Sequence, residues 1–331
     1  MSITVEDVKA ALAAVIDPNT QKDLVSSKSV KNIKVEGGDV AFDVELGYPA
    51  KSQIAALRAA AEDAVRALAG AGKVSANVYS KIISHTVQRG LKIMPNVKNI
   101  IAVASGKGGV GKSTTAVNLA LALAAEGATV GVLDADIYGP SQPMMLGISG
   151  RPETKDGKTM EPLENHGVQV SSIGFMIDPD EPMVWRGPMV TQALQQLLDQ
   201  TNWRDLDYLV VDMPPGTGDI QLTLSQKVPV TGAVIVTTPQ DIALLDARKG
   251  LKMFEKVGIP ILGVVENMSS HICSNCGHTE AIFGQGGGAK MCADFGVDFL
   301  GALPLTMAIR EQTDSGMPTV VAEPDGPVAA I

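Results

Sequence analysis

The sequence predicts an α/β protein in which a small α+β domain precedes a doubly wound, mostly parallel sheet. Three observations carry this expectation. From Asn99 onward, short β-rich runs alternate with helical segments, the pattern of strands joined by crossover helices. One of these runs, Asn99-Ile100-Ile101-Ala102-Val103-Ala104, passes through a glycine-rich stretch straight into helical composition over residues 115–125, so strand, loop and helix follow in register. The first 88 residues follow a different order, α-β-β-α-β, and are long enough to form a compact unit of their own.

In chain order, Val5, Val8, Leu12, Val15 and Ile16 recur at helical spacing over residues 4–16. Asp17-Pro18 ends that element, because the residue before a proline is pushed out of the helical region. Residues 30–35 and 40–46 alternate apolar with polar around Gly37-Gly38, a hairpin signal. Alanine-rich residues 51–69 predict a second helix and residues 73–83 a further strand. The first domain therefore spans 1–88, a basic, proline-containing stretch over 89–98 is the linker, and 99–331 is the second domain. Within it the strand candidates after the first are 129–133, 168–173, 208–211, 232–237, 259–265 and 297–303. Ligands of such sheets sit beyond the carboxyl ends of the strands. The chain has no internal repeat and no low-complexity tract.

Composition narrows the function classes. The 331 residues are 45% apolar, with 27 basic against 36 acidic side chains and a net charge of −9. That balance gives no general attraction to nucleic acid or anionic lipid, so neither is an expected partner. The segment Met1-Ser2-Ile3-Thr4-Val5-Glu6-Asp7 carries acid where a signal peptide needs base, and no apolar run approaches the length of a membrane span. The expected location is cytoplasmic. Three cysteines make no even disulfide framework, and two of them stand as Cys273-Ser274-Asn275-Cys276, which in a reducing compartment suggests metal or redox chemistry.

The glycine-rich stretch reads Gly106-Lys107-Gly108-Gly109-Val110-Gly111-Lys112-Ser113-Thr114. Gly106, Gly111, Lys112 and Ser113 satisfy the pattern of a phosphate-binding loop, which makes the second domain a candidate P-loop NTPase. Glycines let the backbone turn its N–H groups toward phosphate oxygens, and the helix start adds positive potential. Lys112 is then expected at the β- and γ-phosphates and Ser113 at magnesium. Lys107 is an addition to the ordinary pattern. With it the loop resembles the deviant Walker A of the ParA, MinD and nitrogenase iron protein class, in which this lysine reaches the nucleotide of a partner subunit, and the resemblance implies ATP-dependent dimerisation. The alternative is a solvated lysine in a mobile loop.

Acidic residues follow two of the strands. Asp134-Ala135-Asp136 comes after the apolar 129–133 run, where acids can hold a metal-bound water or orient an attacking one. Asp136 is the candidate for positioning the hydrolytic water, with Asp134 near magnesium, unless the segment is only a turn. Leu209-Val210-Val211-Asp212 ends in an aspartate able to bind magnesium, and it runs into Met213-Pro214-Pro215-Gly216-Thr217-Gly218-Asp219, whose glycines allow movement with the γ-phosphate. Asp219 is either part of that switch or simply the N-cap of the next helix.

With these segments together, the chain resembles the Mrp/ApbC family of iron-sulfur cluster carrier ATPases. The likeness covers almost the whole second domain: the deviant loop, Asp134-Ala135-Asp136 with Gly139-Pro140-Ser141, Trp185-Arg186-Gly187-Pro188, Asp212 to Asp219, and Cys273 to Cys276 with Phe283-Gly284-Gln285-Gly286-Gly287-Gly288. It implies that Asn267, in Glu266-Asn267-Met268, contacts adenine, which an amide can do as donor and acceptor. Arg186 receives no role, and Pro188 near a helix start is explained structurally. The N-terminal unit resembles the small assembly domain often fused to these ATPases. It contains no cysteine and shows Tyr48-Pro49-Ala50 where related domains can carry one, so no metal ligand is assigned there.

Cys273 and Cys276 form half of a four-thiolate site. Either two subunits each supply a pair, or His271, His278 and Cys292 complete a zinc site within one chain. A two-fold dimer sets identical pairs opposite one another, and four thiolates suit a 4Fe-4S cluster. Bridging zinc and a thiol-disulfide role are the other readings, the latter without an obvious helix start to acidify a thiol. The expectation is thus a homodimer that uses ATP and Mg2+ to load a 4Fe-4S cluster and pass it to apo iron-sulfur proteins. Its rival is a ParA- or MinD-like positioning ATPase with a structural zinc, and the acidic balance and the non-basic 322–331 segment disfavour DNA and membrane partners for it.

Overall fold

A computed structural model describes residues 3–87, 91, 93–177, 187–273 and 275–331. It divides into two compact units, Met1–Ile83 with Ala125–Ala128, and Ser84–Ala124 with Thr129–Ile331.

The first unit begins with α1 (Val5–Leu12), held by a reciprocal cap in which Thr4 Oγ1 accepts from the Asp7 amide and the Asp7 carboxylate accepts from the Thr4 amide. α1 stops short of the 4–16 periodicity, since Ile16 instead makes an isolated antiparallel bridge with Asp23 just before Pro18. β1 (Val30–Glu36) and β2 (Asp39–Leu46) form the expected hairpin, α2 (Ile54–Arg66) follows, and β3 (Val74–Ser80) pairs parallel to β2. Every second residue of β2, Val40, Phe42, Val44 and Leu46, is buried, and α2 supplies Leu57, Ala61 and Val65 at four-residue spacing to the same cluster.

The second unit is an α/β fold around an eight-stranded sheet. Its elements are β4 (Val97–Ser105), α3 (Lys112–Ala125), β5 (Val130–Asp134), α4 (Gln142–Met145), β6 (Leu163–Asn165), β7 (Val168–Ser172), α5 (Gly187–Gln200), β8 (Leu206–Asp212), α6 (Asp219–Lys227), β9 (Gly232–Thr237), α7 (Asp241–Lys256), β10 (Ile261–Glu266), the short β11 (His271–Ile272) and β12 (Thr279–Glu280), α8 (Gly287–Phe295), β13 (Phe299–Ala302), α9 (Met307–Asp314), α10 (Thr319–Ala322) and α11 (Pro327–Ala330). Strand order is β13-β10-β9-β4-β8-β5-β7-β6. All neighbours are parallel except β6, which runs antiparallel to β7 at the edge. β5, β7 and β9 are buried along their whole length, as strands of a sheet covered on both faces must be.

Local differences from the sequence reading have local causes. β4 already begins at Val97, where Lys98 pairs with Asp207 at 2.7 Å. His85 hydrogen-bonds Asn99 through its amide and its ring nitrogen, so residues 84–87 group with the sheet unit. β10 starts after Pro260, which has no N–H to give to a ladder. Among the described residues no helix is long and apolar enough to cross a membrane.

β4 sits mid-sheet between β9 and β8, with β5 to β8 all on one side of it and β9, β10 and β13 on the other. The order reverses there, which makes its carboxyl end the switch point where such sheets open a crevice.

Candidate nucleotide and thiolate sites

The loop that leaves β4 is held from several directions. Ser105 Oγ donates to the Lys107 carbonyl at 2.8 Å, and the amide and hydroxyl of Thr115 both donate to the Gly111 carbonyl at 2.9 Å. Gly106 lies so close to α7 that a Cβ there would stand 2.2 Å from the carbonyl carbon of Asp246. Gly111 has φ +82°, and a Cβ on it would meet Asn267 Nδ2 at 2.0 Å, so both backbone shape and space demand glycine. Val110 is buried, whereas Gly108 and Gly109 are exposed at the loop's tip. Lys107 is half-buried, and among the described residues no ion pair involves it. Asn267 Nδ2 donates to the Val110 carbonyl at 2.9 Å. The residue expected at adenine thus also braces the loop from behind.

Beneath the loop lies a buried group of charges. Lys112, 6% exposed, pairs its ammonium with Asp212 Oδ1 and donates to Ser113 Oγ at 3.1 Å. Asp212 is 0% exposed and sits across the β5–β8 ladder from Asp134. Gln142, also fully buried, donates through Nε2 to Asp212 Oδ2 at 2.9 Å and to the Ser113 carbonyl at 3.2 Å. Asp134 accepts from the amides of Asp136 (3.2 Å), Ser141 (3.0 Å) and Gln142 (3.1 Å) and from the Ser172 hydroxyl (3.1 Å). Both its oxygens are thereby engaged in fastening the 136–142 loop, a duty the sequence did not reveal for a residue expected near magnesium. Burial and then the neighbouring Asp212 push its carboxyl up to about 7, against the pull of those amides and of Lys112. Asp136 is half-buried and is likewise raised by burial, with Lys112 opposing and Asp212 adding to the shift.

The segment after Asp212 is tied back to β4, since Met213 and Gly216 amides donate to Val103 and Ser105 carbonyls at 3.0 Å. Gly218, not Asp219, is the N-cap of α6; the N-cap reading of Asp219 is corrected by one position. Trp185 and Arg186 lie outside the described residues. Beside the first turns of α3 opens a cavity of about 300 Å3, lined in part by Thr114, Asn118, Asn267, Leu303 and Thr319.

The cysteine pair sits on the β11–β12 hairpin. The Cys273 amide donates to the His278 carbonyl and the Gly277 amide to the Cys273 carbonyl, each at 2.9 Å, and Gly277 closes the turn at φ +71°. Cys273 is half-buried and Cys276 exposed. Backbone amides of Cys276 and Asn275, then the Cys276 thiol, lower the Cys273 thiol below its usual range, so a tight turn does here what a helix start does elsewhere. Cys292 is buried in the core of the unit, its thiol facing the Asp298 carbonyl at 3.6 Å and raised by burial. His271 Nδ1 lies 3.2 Å from the Leu305 carbonyl. Among the described residues no three His, Cys, Asp or Glu side chains converge on a metal position.

Sequence reasoning missed Gln142, for which no spacing rule exists, and Glu266, a buried acid that accepts from the Gly288 amide and joins the end of β10 to α8.

Residues 96–331 match the family described as NUBPL iron-transfer P-loop NTPase, and residues 5–78 match that of iron-sulfur cluster assembly proteins. The chain belongs to the NUBPL iron-transfer P-loop NTPase family. An iron-sulfur cluster carrier protein of Pseudomonas fragi is 63% identical to this family member over 270 residues, 81% of this chain and 94% of that one. A nucleotide-binding protein of Archaeoglobus fulgidus, solved in complex with ADP, is 35% identical with a TM-score of 0.61 over 70% of this chain and 90% of that chain. The cell division ATPase MinD of Pyrococcus furiosus, 24% identical with a TM-score of 0.53 over 70% of this chain and 94% of that chain, shares the fold.

Proposed function

We propose that this protein is a cytoplasmic, ATP-hydrolysing iron-sulfur cluster carrier that works as a homodimer. The observation that carries the reading is a single unit bearing both a two-lysine phosphate loop and, on a separate hairpin, an accessible pair of thiols that no third ligand joins among the described residues. A second copy supplies the two thiolates a four-coordinate cluster lacks.

In this scheme the amides of Gly108, Gly109, Val110, Gly111 and Thr114 and the ammonium of Lys112 take the phosphates of ATP, Asn267 faces the base, and Lys107 crosses to the nucleotide of the other subunit. Ser113 and Asp212 are oxygen donors of the kind that suits Mg2+, one carboxylate completed by phosphates rather than a full protein cage; magnesium bound there neutralises charge on the phosphates. Asp136 accepts a hydrogen bond from the attacking water. That water's oxygen bonds to the γ-phosphorus while the bond to the ADP oxygen breaks, releasing ADP and phosphate. Asp134 holds the 136–142 loop that carries Asp136.

The cluster is cargo. Cys273 and Cys276 of each subunit hold it by thiolate bonds, and delivery to an apo iron-sulfur protein is an exchange of those thiolates for the recipient's, with no net electron transfer. The lowered Cys273 thiol helps, because the thiolate is the ligand. A Cys273→Ser, Cys276→Ser variant, reconstituted without oxygen, is expected to bind ADP as the parent does and to lose visible iron-sulfur absorbance; the parent is expected to hold one cluster per two chains. Absorbance kept by the variant, or a colourless parent, overturns the carrier reading.

A further inference from the structure

We infer that Gln142 is a positioning residue for the magnesium site: its amide nitrogen fixes the Asp212 carboxylate and its carbonyl oxygen accepts from the metal's water shell. The inference rests on the nucleotide and magnesium reading given above.

Gln142 is the first residue of α4, wholly buried, with its own amide on Asp134 Oδ2. Its side-chain nitrogen serves two acceptors at once, the Ser113 carbonyl and Asp212 Oδ2. Since both partners can only accept, the NH2 must face them, and the orientation of the amide is fixed by chemistry. The oxygen Oε1 is then turned to a place where it is buried and has no hydrogen-bond partner among the described residues. A buried amide oxygen without a donor is a standing cost that calls for an explanation such as an ion or its water. Lys112, which shares the Asp212 carboxylate with Gln142, is committed to Asp212 Oδ1 and Ser113 Oγ.

The bonds on Asp212 also divide in an instructive way. Oδ1 belongs to Lys112 and Oδ2 to Gln142. When phosphate draws the Lys112 ammonium away, Oδ1 is released while Gln142 still grips Oδ2, so the carboxylate keeps its rotamer and presents one oxygen to a cation. Through the Ser113 carbonyl the same amide steadies the other magnesium donor. Outer-shell partners of this kind typically change metal affinity by about 10- to 100-fold when removed.

The experiment is calorimetric titration of the full chain with ADP, once in EDTA and once with excess MgCl2, on the parent, Gln142→Met and Gln142→Asn. The quantity read is the factor by which Mg2+ tightens ADP binding. It is expected to fall by about tenfold in both variants, since methionine fills the space without an amide and asparagine keeps an amide too short to reach. A factor equal to the parent's in either folded variant overturns the inference, including the case where both titrations weaken equally, which would make Gln142 scaffold only. A parent that binds no ADP in either buffer, or binds it with no gain from Mg2+, refutes the underlying nucleotide and magnesium reading instead.

Discussion

The ammonium of Lys112 rests on Oδ1 of Asp212, so the cation suited to a phosphate is held by the acid suited to a metal. Both groups are buried, and neither can leave the other without a substitute charge. Under the carrier reading, nucleotide that takes Lys112 creates a demand for a cation at Asp212, and the two ligands are expected to bind cooperatively.

Removing one partner of this pair should cost far more than removing both. Lys112→Met is expected to lose about 3 kcal/mol in urea unfolding, because it strands Asp212 beside Asp134. The double variant with Asp212→Asn should recover most of the loss. Equal midpoints for single and double variants would contradict the geometry.

Gly111 and Asn267 form a second coupled pair. Gly111→Ala forces a side chain into a left-handed backbone and against the Asn267 amide, with an expected cost of about 2 kcal/mol or more. Asn267→Ala alone should cost about 1 kcal/mol for the lost bond to Val110. The double variant should cost less than the sum, because the steric conflict vanishes while the strain at φ remains; denaturant curves of the three variants decide it.

Stability should depend on pH through Asp134. Its folded carboxyl titrates near 7 against a reference value of 3.8, so between those values the folded chain binds the extra proton and stability falls as pH rises. The slope due to this group is at most about 1.4 kcal/mol per pH unit. In EDTA without nucleotide, Asp134→Asn should flatten the profile between pH 4 and 7, even though it weakens the 136–142 loop at every pH. An unchanged slope would count against the raised value.

Lys107 should matter to assembly and hardly at all to folding. It is half-buried and makes no ion pair among the described residues, so Lys107→Ala is expected to alter unfolding by less than about 0.5 kcal/mol. Light scattering with a non-hydrolysable ATP analogue should give a dimer for the parent and a monomer for the variant. A dimer in both would leave Lys107 as a solvated loop residue.

The phosphate loop was legible because strand, glycine spacing and helix signal are all local, and Asp212 because an apolar run ends in an acid. The limits are just as physical. The Asn267 bond to Val110 and the Gln142 bond to Asp212 join residues 157 and 70 positions apart, and no periodicity encodes such meetings. That Asp134 fastens a loop was hidden, because the amides that bond to it belong to a segment whose path depends on the finished sheet. β6, β11 and β12 are too short to show alternation: Leu163-Glu164-Asn165 offers one apolar residue, and the cysteine hairpin has two ladder pairs, His271 with Glu280 and Ile272 with Thr279.

That brief ladder has a mechanical meaning. A ribbon of two pairs, tied at its base by the His271–Leu305 bridge, stands apart from the eight-stranded sheet, and local opening of its tip costs a small share of global stability. Under the carrier reading, the thiol-bearing tip can reshape around its cargo, or around a recipient's docking face, while the grip on the adenylate stays rigid. Delivery and fuel handling are thereby mounted on parts of unequal stiffness.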